Sequence, residues 1–77
     1  MRGREVLKAV MEHQDITNAI LAKRLNITSA AVWERLNNKN VKDIPVSLLS
    51  EMLQALNYKV IVVPEDTELP EGGYQID

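Results

Sequence analysis

Cysteine is absent from the chain, which excludes a disulfide framework and a thiolate metal site. No apolar run approaches the roughly 20 residues of a membrane span. The start, Met1 to Gln14, is charged and amphipathic and lacks an apolar core of signal-peptide length. The expectation is a soluble cytoplasmic protein with no membrane partner. The one histidine, His13, has no cluster of partners for a catalytic or metal role. It is expected near the end of the first helix, where it can satisfy carbonyls. No internal repeat is present. At 77 residues there is room for one domain. A domain of this size buries only about 60% of its unfolded surface, too little for a deep catalytic cleft. Neither an enzyme activity nor a cofactor is expected. A hydrophobic content of 45% argues against full disorder.

Bases are missing from one region only. Residues 64–77 carry five acids, Glu65, Asp66, Glu68, Glu71 and Asp77, and no Lys or Arg. Residues 1–63 hold all nine bases against six acids, leaving +3. The overall charge of −2 therefore belongs to the tail. The remainder is mildly basic, which permits phosphate binding without demanding it.

Four helical segments follow from periodicity. Val6, Leu7, Val10 and Met11 form one stripe of a helix over Gly3 to about His13. After Asp15-Ile16, Thr17 suits the N-cap of a second helix, Asn18 to Leu25, with Leu21, Ala22 and Leu25 on one face. Asn26 readily takes the left-handed conformation that ends a helix. Thr28 then caps a third helix, Ser29 to about Asn37, whose core pair is Val32 and Leu36. A polar loop, residues 37–43, precedes Pro45, which suits the start of a fourth helix. Val46, Leu49, Met52, Leu53 and Leu56 then repeat at helical spacing.

After Asn57 the period changes. Tyr58-Lys59-Val60-Ile61-Val62-Val63 is rich in β-branched residues and stops at Pro64, which predicts a strand. The apolar run occupies both faces, so it requires cover from the helices or from another strand. Residues 65–77 read as a loose acidic tail, with Tyr74-Gln75-Ile76 able to pair back onto the strand. The division is thus 1–57 for the helical domain, 58–64 for the strand and 65–77 for the tail.

The informative unit runs from Thr17 to Lys39. It joins two short helices by about three residues, with small Ala22 where they approach and apolar residues at 21, 25, 27, 32 and 36 to fix their crossing. A helix-turn-helix must hold its second helix proud of the body to enter a groove about 12 Å wide. At residue level the unit resembles the Cro and phage-repressor family, whose pattern is roughly Thr-Gln-x-x-Leu-Ala-x-x-Leu-Gly-Val-Ser and a recognition helix ending near Asn-Gly-Lys. The matches are Thr17, Leu21, Ala22, Leu25, Ile27, Thr28, Val32, Leu36, Asn38 and Lys39. The resemblance covers about residues 3–57. Asn18 stands for the usual Gln, Asn26 for the turn Gly, and Ser29, Ala30 and Glu34 where relatives often carry Gln or Arg.

The resemblance implies a mainly α fold, a lambda-repressor-like four-helix domain to which the C-terminal strand is added. It also implies a repressor-type regulator of phage or mobile-element kind that binds double-stranded DNA at a palindromic operator as a homodimer. Helix three would present Ser29, Ala30, Glu34 and Asn37 to bases, with Trp33 at one flank. Glu34 suits a cytosine amino group and Ala30 a thymine methyl. Thr17, Asn18 and Thr28 lie at helix starts that suit phosphate, and Asn38, Lys39 and Lys42 lie in the adjoining loop. Each has a plainer role: Glu34 as a solvated or ion-paired charge, Trp33 as cover for the core's rim. Tyr58, Val60, Ile61, Val62 and Val63 are the expected dimerisation residues. Two rival functions stand beside this one. One is an antitoxin that binds DNA and a protein partner; the other is a protein-interaction module that has lost DNA binding.

Overall fold

Helix starts and stops are set locally at almost every point of the chain, as the computed structural model of residues 1–77 makes visible. The helices are α1 (Gly3–His13), α2 (Asn18–Leu25), α3 (Ser29–Asn37) and α4 (Val46–Gln54). Thr17 and Thr28 cap as their positions predict. Thr17 Oγ1 accepts from the Ile20 N–H at 3.2 Å, and Thr28 Oγ1 from the Ala31 N–H at 3.1 Å.

Three helices end alike. Asp15, Asn26 and Asn57 have φ of 56°, 57° and 63°. After each, the next N–H reaches back to a carbonyl five residues earlier: Ile16 to Met11, Ile27 to Ala22, Tyr58 to Leu53. This is the Schellman closure usually served by glycine. Short polar side chains fill it here because they tolerate the left-handed region best among residues with a Cβ.

The start of α1 has a different solution. Its N-cap, Arg2, offers no side-chain acceptor. Glu5 accepts from the Arg2 N–H at 2.9 Å. Asp43, from the loop after α3, takes the Gly3 N–H at 2.7 Å and the Arg4 N–H at 3.1 Å. Gly3 is needed for this approach. A Cβ there would stand 3.1 Å from Ile44 and Leu49 side-chain carbons and 3.2 Å from an Asp43 oxygen.

The core is wholly apolar. Thirteen hydrophobic residues are buried, and no polar or charged one is. Val6, Leu7, Val10 and Met11 of α1 meet Leu21 and Ala22 of α2, Val32 and Leu36 of α3, and Leu49, Met52 and Leu53 of α4, with Ile44 and Leu56 closing the ends. Helix α1 packs on both α3 and α4, and α2 packs on α3. Two side chains tie down the end of α4: Gln14 donates to the Leu56 carbonyl and Arg24 to the Ala55 carbonyl. Val46, expected in the stripe, is 68% exposed, because α4 buries its side from Leu49 onward.

The predicted C-terminal strand does not form. Residues 58–64 lie outside any helix or ladder. Tyr58 and Val60 pack on the core, while Ile61, Val62 and Val63 are exposed, Val62 at 98%. A ladder needs a second strand, and the backbone of residues 59–63 makes no hydrogen bond to any other segment. The expected return of Tyr74-Gln75-Ile76 as a hairpin is also absent. The tail instead crosses to the other terminus. Tyr74 sets its ring 6.2 Å from that of Tyr58, whose hydroxyl donates to the Gly72 carbonyl. The Asp77 N–H donates to the Met1 carbonyl, and the Met1 ammonium pairs with the Asp77 carboxylate at 2.8 Å. The ammonium beside Asp77 holds that carboxyl below its ordinary range.

Candidate nucleic-acid interface

Three residues, Asn26-Ile27-Thr28, turn the chain from α2 into α3. The left-handed Asn26 and the capping Thr28 leave little freedom at either side. Ala22 is buried on the inner face of α2. Leu21, Val32 and Leu36 hold the two helices from beneath, with Leu25 and Ile27 half-buried beside them. The crossing is therefore fixed by packing, and α3 projects its other side outward.

That outward side carries Ser29, Ala30, Trp33 and Glu34, all exposed, with Trp33 at 60%. Trp33 is thus an exposed indole rather than cover for the core. Glu34 forms no ion pair, since the one in the chain joins Met1 to Asp77. Thr17 and Thr28 are exposed, but their hydroxyls are occupied by the caps. Asn18 is half-buried in the first turn of α2.

The C-terminal end of α3 is internally bonded. Asn37 donates its amide to the Trp33 carbonyl at 2.8 Å and accepts from Lys8 Nζ at 3.1 Å. Its side chain is held against the protein, at some cost to any contact with a base. Asn38 Oδ1 accepts from the Asn40 N–H at 2.9 Å, which shapes the loop. Lys39 and Lys42 are exposed and line a cleft with the first turns of α1. Of the five residues expected at a dimer contact, Ile61, Val62 and Val63 are open to solvent, whereas Tyr58 and Val60 are half-buried.

Asp43 escaped the sequence reading. Burial pushes its carboxyl up, but the N–H groups of Gly3, Ile44 and Arg4 and the charge of Arg4 outweigh that and hold it below the ordinary value. Also missed were Arg2, Arg4 and Lys8, which line the same cleft as Lys39 and Lys42. A signal for them exists. Arg4 and Lys8 are like charges at i, i+4, a spacing that costs stability and calls for a reason. No three His, Asp or Glu side chains gather anywhere in the chain. No helix is long and apolar enough to cross a membrane.

Residues 2–38, which are α1 to α3, match the family described as winged helix-turn-helix DNA-binding. The match supports a helix-turn-helix regulator family and the binding of double-stranded DNA. No strand follows the matched helices, so the chain has the helical unit without a β wing. No curated protein and no solved structure matches the chain.

Proposed function

We propose that the chain is a sequence-specific transcriptional regulator of the Cro and repressor type, with α3 lying in the major groove. The observation that carries this is the outward face of α3. Ser29, Ala30, Trp33 and Glu34 are exposed, and their side chains make no hydrogen bond or ion pair within the chain, on a helix whose tilt the core fixes. Side chains at the start of such a helix meet base edges. Selection of bound sequences from a random duplex pool tests it. A defined consensus supports the reading; a pool that stays random overturns it. In the same selection, Glu34→Ala should relax preference at one base position, a loss of roughly 1–3 kcal/mol in discrimination. If parent and variant select the same sites, Glu34 reads no base.

A homodimer belongs to this reading. One helix covers few base pairs, and two copies reading half-sites about 34–36 Å apart supply usable specificity. Ile61, Val62 and Val63 favour it. They are exposed, and the backbone over 59–63 makes no hydrogen bond within the chain. Pairing with the same segment of a second copy would fill those groups and cover the side chains. Val62→Pro removes one donor from such a ladder. Sedimentation at micromolar concentration should give a dimeric parent and a monomeric variant. A monomeric parent, or a variant that stays dimeric, discards this interface.

The exposed Trp33 beside Ala30 also suits a protein surface, which is what favours the interaction-module reading. An antitoxin would share the DNA contacts and add a protein partner. A selected consensus removes the first of these alternatives.

A further inference from the structure

Five of the nine lysines and arginines converge on one place. Arg2, Arg4 and Lys8 from α1 face Lys39 and Lys42 from the loop after α3 across an open cleft of about 340 Å³. The chain as a whole carries −2, so this is not the by-product of a basic protein. The two acids in the cleft are committed to backbone. Glu5 accepts from the Arg2 N–H, and Asp43 accepts from Gly3, Arg4 and Ile44. No lysine or arginine in the chain forms an ion pair with a carboxylate. Where Arg4 and Lys8 do bond, it is to neutral oxygens, the Val41 carbonyl at 2.8 Å and the Asn37 amide at 3.1 Å. Those bonds hold the cations in place, and against five cations the cleft sets only the two carboxylates of Glu5 and Asp43, so it keeps an excess of positive charge.

We infer that this cleft is a phosphate site in which Arg2 and Lys8 of the α1 side join Lys39 and Lys42 to grip the duplex backbone beside the recognition helix. The inference rests on the duplex-DNA reading above and adds α1 to the interface. The cleft's own character selects the ligand. Leu36 is its one apolar lining residue, so it lacks the apolar pocket that anchors a protein partner. Unpaired cations spread along an open polar cleft suit the regular negative charge of a nucleic-acid backbone. The site also joins the end of α3 through the Lys8–Asn37 bond, so a backbone held there lies against the helix that reads bases. Arg4, bonded across to Val41, is a positioning residue that holds the loop against α1.

The test is the salt dependence of binding to a short nonspecific duplex. Arg2→Gln, Lys8→Gln and the double variant remove charge at exposed positions. Lys59→Gln removes a like charge outside the cleft. Each lost contact should make the slope of log K against log salt shallower by about 0.9. The double variant should lose about twice that, and Lys59→Gln should keep the parent's slope. A double variant with the parent's slope, or a control that loses as much, overturns the cleft and leaves helix-turn-helix binding standing. A parent with no salt-dependent duplex binding brings down both. Amide shifts of the parent are read in parallel, first with the duplex and then with inorganic pyrophosphate. Shifts at Lys8 and Lys42 on adding duplex support the assignment. Shifts with pyrophosphate alone make it a site for free phosphate and overturn the backbone grip.

Discussion

Leu21→Ala should remove about 3–5 kcal/mol of stability, the range seen when a fully buried leucine leaves a cavity that its surroundings only partly refill. Leu21 is 0% exposed and lies in the one core of the chain. A 77-residue domain holds on the order of 4–12 kcal/mol in total. The variant should therefore stand near its threshold, with a measurable unfolded fraction at 37 °C. Urea unfolding checks this: the midpoint should fall while the slope of free energy against urea stays that of the parent. DNA affinity should fall with the folded fraction and recover on cooling or at lower urea. A midpoint equal to the parent's would mean that α2 does not depend on this contact for its place.

Asp43→Ala should cost about 1–2 kcal/mol, as the loss of a helix cap does, and a domain of this size then melts roughly 5–15 °C lower. Gly3 and Arg4 have N–H groups with no intrahelical acceptor, and Gly3 is buried, so water is a poor substitute. The pH dependence has a definite sign. The carboxyl is depressed in the folded chain relative to its ordinary value of 3.8. A depressed acid contributes stability that is fully present above the unfolded value and is lost as pH falls through the folded one. The gap between parent and variant should thus be constant above about pH 5 and should narrow as the pH drops below about 4. A gap that is unchanged at low pH would show that the carboxylate's charge has no part in the cap.

Most of the helical unit was legible because its signals are local. Thr17 and Thr28 precede apolar stripes, Asn26 follows one, and each governs groups within five residues of itself. The same locality misled the reading of Val60 to Val63. Their β-branched side chains express a preference that a strand realises only beside a partner, and the chain supplies none. Val46 fell on the helical period but not on the buried arc. Asn37 lies on the outward side of α3 by spacing, yet Lys8 and the Trp33 carbonyl hold its amide. That restraint depends on how α1 crosses α3, which no spacing reveals. The cap on α1 is the largest omission, because its donor and acceptor are 40 and 39 residues apart.

That separation bears on the order of assembly. In a chain built mainly of short-range contacts, folding is fast and each helix can flicker into existence alone. The first turn of α1 is an exception. Its amides find their acceptor only after α1, α2 and α3 have docked and the following loop has come round to meet residue 3. The Asp43 carboxylate thus acts as a clasp on a ring closed without a covalent bond, whose closure entropy is met late and all at once. Breaking the clasp frees the loop and the helix start together.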